Sequence, residues 1–447
     1  MSKTQSGLCG IDEKIWKFVV LFASFYINFS VDGYNFVFGY LKLEIEKQYP
    51  HIGKQWIALI GSLVPGLYCI LSPLAPKIAD KIGMRLTIII AAGLQLSGFA
   101  LAFFNPFKSN YYADLLALGV FQGVGSALLL TNSISSITNR FEKKGKALAT
   151  GLVTAGSPFG AIFYGSLFKT FLEATSFGWR GTLIFFAGLA AMNILCGIVF
   201  TPPPAEESKQ IEPKLWNYRF FGLLIMTSLF ITGYYVTPLL IPGQARNPKY
   251  GVSEGVANNI ILVWGISNGI GRILVGFMSD ISYNLDHKKP YLTSFTIITL
   301  CTIICAAAMF VFPHVMIYGN VSFLLLQIVY GFFVAGGISL RSVILKELIP
   351  GSVSNPLAWM YFSDGLFVVI GFCLSAYVDT IAPVWAYSFA GICFASAVVF
   401  MFTLLSRYLA AYDRIRRDKT RNQAEEEANK HEIKELLERQ NVDATTA

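Results

Sequence analysis

Twelve long apolar runs occupy this 447-residue chain, and they leave it few ways to fold. They cover 16–41, 55–79, 86–104, 111–137, 147–172, 181–201, 219–242, 255–279, 291–312, 315–340, 354–378 and 382–407. Runs of about 20 residues match a hydrocarbon core roughly 30 Å thick. Inside that core a segment must satisfy its own backbone hydrogen bonds, which leaves helices or a closed barrel. Unbroken apolar runs of this length suit helices, whereas barrel strands are shorter and alternate in polarity. The expected fold is therefore an all-α membrane protein with twelve transmembrane helices.

Composition agrees. Hydrophobic residues make up 54% and charged residues 14%, the latter gathered in short loops and in the tail after Arg407. The net charge of +8 therefore speaks to topology and lipid rather than to nucleic acid. An even number of spans puts both termini on one side. If that side is the cytosol, 26 of the 35 Lys and Arg residues lie inside and 8 outside, with Arg272 in the membrane. The positive-inside rule then assigns both termini to the cytosol. Plasma membrane is the default location. No cleavable signal peptide is visible in the polar first 14 residues, so the first helix is expected to act as its own targeting signal.

The organisation read from these runs is a cytosolic segment 1–14, a six-helix bundle 15–201, a linker 202–217, a second six-helix bundle 218–407 and a charged tail 408–447. The linker carries Pro202, Pro203, Pro204 and Pro213. A short internal repeat supports the division. Asp80 follows the second run, in Pro76-Lys77-Ile78-Ala79-Asp80-Lys81-Ile82-Gly83-Met84-Arg85, and Asp280 follows the eighth, in Gly276-Phe277-Met278-Ser279-Asp280. Corresponding positions in two halves point to duplication and pseudo-symmetric bundles. The tail has helical charge pairs such as Glu426–Lys430. Its basic cluster Arg414, Arg416, Arg417, Lys419 and Arg421 would suit a lipid or partner surface.

The most informative single residue is Arg272, inside the eighth run. A cation at a helix centre costs about 2.5–3.5 kcal/mol on insertion scales, so such residues usually face a water-filled cavity or a partner. A guanidinium can hold a carboxylate through two parallel hydrogen bonds. Arg272 is thus the leading candidate for binding an anionic cargo. A salt bridge within the second bundle is the plainer reading. Asp32 in the first run and Asp364 in the eleventh are read as the other intramembrane charges. Either could pair Arg272, bind a cation or titrate. Arg341, at the expected end of the tenth run, is either a snorkelling basic residue or a second anion contact. Tyr34 and Asn35 lie near Asp32, and Asn268 lies one turn before Arg272. All three add neutral hydrogen-bonding groups to the candidate site.

Several chemistries find no residues. The four histidines, His51, His287, His314 and His431, fall in loops, helix edges or the tail, which argues against an intramembrane histidine relay. The cysteines, Cys9 apart, sit in apolar runs without metal-ligand spacing and read as packing residues. No phosphate-binding loop with Lys-Ser/Thr is present. Neither cofactor nor metal is expected, and a membrane-embedded enzyme is disfavoured.

Several motifs resemble the major facilitator superfamily, and within it the monocarboxylate transporter family. The Asp80–Arg85 loop is similar to the superfamily's helix 2–3 signature, with Pro76 in place of the usual leading Gly. Asp32-Gly33-Tyr34-Asn35-Phe36-Val37-Phe38-Gly39 resembles the family's helix 1 motif. The segment Arg140–Gly151, continuing through Ala155-Gly156-Ser157-Pro158-Phe159-Gly160, resembles its helix 4–5 region. Phe177-Gly178-Trp179-Arg180-Gly181, Tyr250-Gly251-Val252-Ser253 and Gly271-Arg272 extend the match over about 1–400. The resemblance implies the major facilitator fold, alternating access and a substrate-binding role for Arg272. It also implies a cytosolic charge latch at Asp80, Arg85 and Asp280.

Two departures bear on coupling. The helix 1 lysine of proton-coupled members falls on Asn35 or Phe36 here, and their aspartate four residues before the arginine is Asn268. Proton symport is therefore left open, with Asp32 or Asp364 as the carboxylates to carry it. The function read from the sequence is secondary transport of small organic anions, with monocarboxylates foremost. A facilitator of neutral or amino-acid solutes, an oxalate/formate-type exchanger and a non-transporting sensor remain as alternatives. A single-pass ancillary glycoprotein, which escorts some family members, is left open as a partner.

Overall fold

The computed structural model describes residues 12–105, 110–141, 146–174, 176–201, 218–285, 294–348, 354–404 and 406. Positions 1–11 of the N-terminal segment, the linker 202–217, positions 142–145 of the basic run, His287 and the tail beyond 406 lie outside them. All regular structure among the described residues is helical. The helices are α1 (Glu13–Gln48), α2 (Lys54–Leu71), α3 (Ala75–Ile82), α4 (Met84–Phe104), α5 (Tyr111–Asp114), α6 (Gln122–Arg140), α7 (Lys146–Ala174) and α8 (Trp179–Val199). The second half adds α9 (Tyr218–Ala245), α10 (Glu254–Leu285), α11 (Ser294–Val315), α12 (Asn320–Leu348) and α13 (Ser354–Ile381), and α14 (Pro383–Leu404). A π-helical stretch, Leu115–Phe121, joins α5 to α6 into one continuous rod.

Ten helical segments among the described residues are long and apolar enough to cross a membrane. The 29-residue α7 and the 32-residue α10 are two further long helices. The chain is a multi-pass integral membrane protein.

Where the helices differ from the expected spans, local chemistry gives the reason. Helix α1 continues past 41 because Lys42 pairs with Glu46 (2.6 Å) and Lys47 with Glu44 (2.7 Å), contacts that support a polar extension. The second run breaks at 72–74 and resumes as α3. Pro73 and Pro76 have no N–H to continue the ladder there. The corresponding α10 runs unbroken through Asp280 to Leu285, so the two halves of the short repeat differ locally.

Small residues set the closest crossings. A Cβ on Gly156 or Gly160 of α7 would meet the carbonyl oxygens of Phe25 or Phe29 of α1 at 2.3 and 2.2 Å. Such Gly-xxx-Gly surfaces let backbones touch where apolar burial offers no drive between helices. The glycine-rich face of the seventh helix is thus a packing seam against α1.

Among the described residues three helix pairs make the most extensive contacts between the first half and the second: α1 with α9, α2 with α13, and α7 with α10. A Cβ on Gly39 would lie 2.2 Å from the Pro238 carbonyl, and one on Gly365 would lie 2.6 Å from the Gly66 carbonyl. The hydrogen bonds between halves are unevenly placed. Tyr40 donates from its hydroxyl to the carbonyls of Ala257 and Asn258 (3.0 Å each). Lys169 pairs with Glu254, and Arg272 donates to the Thr154 carbonyl (3.0 Å). Among the described residues these contacts run from mid-helix to the face where α1 ends, called the far face below. The halves are therefore held shut on that side.

Candidate functional site

Helix α1 carries Asp32 near its middle, and the register that buries Val31, Tyr34 and Val37 leaves Asp32 and Asn35 partly open. The Asn35 amide donates to the Asp32 carboxylate at 3.4 Å, a long and weak contact. Ser157 of α7 stands beside the same carboxylate.

Arg272 projects from α10, half-buried. Its Nε donates to Asn268 Oδ1 (3.0 Å), one turn earlier on the same helix. Asn268 is wholly buried and fixed by donating to the Gly331 carbonyl of α12 (3.1 Å). Arg272 Nη1 donates to Thr154 O of α7, and the Tyr234 hydroxyl of α9 adjoins the guanidinium. Neutral groups thus orient the fork from three helices. A guanidinium has five N–H donors, so donors remain for a ligand.

Arg341 and Asp364 form a separate pair. Arg341 Nη1 lies 3.1 Å from Asp364 Oδ2, and Asp364 is fully buried. Ser228 donates to Asp364 Oδ1 at 3.3 Å and shares a 2.8 Å hydrogen bond with Ser363. The guanidinium sits 4.8 Å from the centre of the Tyr361 ring, a cation–π distance. The sequence placed Arg341 at a helix end. Helix α12 instead runs on to Leu348, and Arg341 lies two turns inside it.

Aromatic rings line the ground between the halves. Phe36 packs against Trp264 (4.6 Å between ring centres) and stacks on Tyr235 (6.4 Å). Tyr68 of α2 faces Tyr361 of α13 at 6.2 Å. Tyr68, Tyr235 and Tyr361 remain partly open.

Of the residues singled out from sequence, Asn35 meets Asp32 on α1, Asn268 meets Arg272 on α10, and Arg341 and Asp364 form an ion pair. Tyr34 does not join them. Its hydroxyl donates to the Leu118 carbonyl (3.3 Å), and its ring packs against Phe99 and Phe186 inside the first half. Two residues along from Asp32, the helix has turned it away. Asp80 is exposed on α3, and Arg85 donates to the Phe200 carbonyl (3.4 Å). Asp280 lies on α10.

A buried cluster at the far end of the first half was missed. Asp114, fully buried, accepts two hydrogen bonds from Arg180 (3.0 and 3.2 Å), one from Tyr49 (2.6 Å) and one from Asn105 (3.2 Å). Arg180 also donates to the Ala102 carbonyl and lies 4.4 Å from the Trp179 ring centre. An aspartate inside the fourth apolar run was the available signal, so Asp32 and Asp364 are not the only other charges in the spans. At the far rim Glu254 is exposed, one position before the eighth expected span. The hydrogen bond and the charge of Lys169 hold its carboxyl below the usual range.

Comparison with known proteins bears on the family. A model of the Major Facilitator Superfamily matches residues 18–242 and again 223–442. The MFS-type transporter pynF of Aspergillus niger is 27% identical over 379 residues, which is 79% of this chain and 80% of that protein. Monocarboxylate transporter 12 of Mus musculus is 22% identical, covering 68% of each chain. Monocarboxylate transporter 3 of Gallus gallus is 26% identical, over 65% of this chain and 61% of its own.

Proposed function

The chain belongs to the Major Facilitator Superfamily, and from that premise we propose that it carries a small organic carboxylate across the membrane by alternating access, with Arg272 binding the carboxylate. The observation that carries this reading is the setting of Arg272. It is a membrane-depth cation held in place by Asn268 and Thr154, both neutral acceptors, with no carboxylate at ion-pair distance among the described residues. A guanidinium so placed has its desolvation offset only in part, and an incoming carboxylate completes it through charge-assisted hydrogen bonds. The relatives named monocarboxylate transporters favour the same substrate class.

In this reading both termini are cytosolic, as the excess of basic residues on their side supports, and the plasma membrane is the location. The far face is then extracellular, and the conformation described here is closed to the outside. Opening it requires release of Lys169–Glu254 and of the Tyr40 contacts on α10. Asp80, Arg85 and Asp280 lie on helices at the other end, where a cytosolic latch would act in the outward-facing state. The driving force is the substrate's own gradient or a coupled ion.

The test is uptake of labelled lactate, pyruvate, acetate, tryptophan and oxalate into liposomes holding the purified protein, with and without an inward proton gradient. Protein-dependent uptake of a carboxylate supports the reading. Stimulation by the gradient would assign the protein as a symporter, and indifference would make it a facilitator or exchanger. Transport of none of the carboxylates rejects it.

A further inference from the structure

Arg272 donates to a backbone carbonyl that is free for a specific reason. In an unbroken helix the Thr154 carbonyl accepts from the N–H four positions on. That position is Pro158, inside α7, and proline has no N–H to give. The vacated acceptor is the one that Arg272 Nη1 takes at 3.0 Å. A buried carbonyl without a donor is unfavourable, so the guanidinium and the carbonyl satisfy each other.

The packing around Pro158 fixes this pairing. Pro158 is buried against a notch in α10. A Cβ on Gly265 would lie 3.1 Å from the Pro158 carbonyl oxygen, and one on Gly269 would lie 3.7 Å from the Pro158 ring. Gly265, Gly269 and Arg272 stand at i, i+4 and i+7, which is one face of α10. Proline, notch and guanidinium thus belong to one contact between α7 of the first half and α10 of the second. The same chemistry occurs inside the second half, where Pro238 vacates the Tyr234 carbonyl and Tyr330 of α12 donates to it at 2.8 Å. There donor and acceptor belong to one half and stay together. At Thr154 they belong to opposite halves, so the bond exists only while α7 and α10 are in contact.

We propose that Pro158 is a positioning residue for Arg272, giving the guanidinium an internal acceptor that makes the far-closed conformation hold substrate more weakly than the far-open one. In the far-closed conformation a carboxylate that takes Nη1 leaves the Thr154 carbonyl without a donor, which opposes its binding. With α7 and α10 parted, Thr154 meets water and Arg272 is free for substrate. The difference favours delivery of the substrate to the near face, opposite the far face. The proposal rests on the carboxylate reading of Arg272 and adds what loosens that grip.

The test measures KM and kcat for the best-transported carboxylate in liposomes, without ion gradients, from each face. In the unaltered protein KM should be higher at the near face, which is reached in the far-closed conformation, by about two- to ten-fold, the equivalent of one neutral hydrogen bond. Pro158→Ala gives position 158 an N–H for the Thr154 carbonyl and keeps a small side chain in the notch. It should lower the near-face KM by a similar factor and lower kcat with it, because substrate held more firmly in the far-closed conformation leaves more slowly. A proline with only a structural role would lower kcat at unchanged KM. Equal or reversed KM values at the two faces of the unaltered protein overturn the proposal, whether or not the variant folds. So does an unchanged or raised near-face KM in folded Pro158→Ala. Both outcomes leave Arg272 as a carboxylate site. Undiminished carboxylate uptake by Arg272→Gln counts against that reading itself and takes this proposal with it.

Discussion

Asp114→Ala should be among the most damaging single substitutions in the first half of the chain. The carboxylate is fully buried and accepts from Arg180, Tyr49 and Asn105, which come from α8, the end of α1 and the end of α4. Arg180 is only 16% exposed, so it cannot turn to water when its partner is removed. Breaking a buried ion pair from one side costs about 3–5 kcal/mol, because the remaining charge is left uncompensated. At roughly 2–4 °C per kcal/mol for a domain of 150–250 residues, the melting temperature in detergent should fall by on the order of 10 °C. The double variant Asp114→Asn, Arg180→Gln removes both charges and should lose less than the sum of the single variants. That difference is the coupling that a double-mutant cycle reads. Melting of Asp114→Ala within a degree or so of the unaltered protein, or strict additivity in the cycle, would refute the claim that this cluster ties the three helices together.

Other consequences are equally concrete. Glu254 is held below the ordinary glutamate range by Lys169, so its contribution to far-face closure is present at neutral pH and persists as pH falls through that range. It should be lost only at lower pH, whereas Glu254→Gln should loosen the far face at neutral pH. Spin-label distances between α7 and α10 would show both, and unchanged distances in Glu254→Gln would remove this pair from the gate. Gly160→Val puts a side chain where a Cβ already lies 2.2 Å from the Phe29 carbonyl. The cost is about 1–3 kcal/mol or more for overpacking, read as lost folded yield. Gly151→Ala, which meets nothing within 4 Å, is the matched control and should be neutral.

Much of the architecture was legible because bilayer thickness and backbone satisfaction constrain sequence strongly. Ten of the apolar segments are found as membrane-length helices, and Arg272 stood out because a cation at membrane depth needs a reason. The helix ends were less legible. Lys42 and Glu46 look like a loop in a hydropathy reading, yet as an i,i+4 pair they extend α1. Arg341 looked like a terminal snorkelling residue because the apolar run stops there, whereas Asp364 from another helix draws it inward. Tyr34 and Asn35 are neighbours in sequence but face different sides of α1, a distinction set by helix phase against partners that one sequence does not reveal. Tyr68, Tyr235 and Tyr361 carried no signal at all, since an aromatic residue in an apolar helix reads as packing. Asp114 did carry a signal, a lone carboxylate in the fourth run, and its partners on three other segments could be found only from the fold.

The most direct measurement is uptake of the best-transported carboxylate by Arg272→Gln in liposomes, beside its melting temperature in detergent. Two charge-assisted hydrogen bonds at about 1.5–3 kcal/mol each mean a loss of roughly 100-fold or more in kcat/KM. The account expects that loss with a folded, near-normally melting protein. Uptake equal to that of the unaltered protein would contradict it.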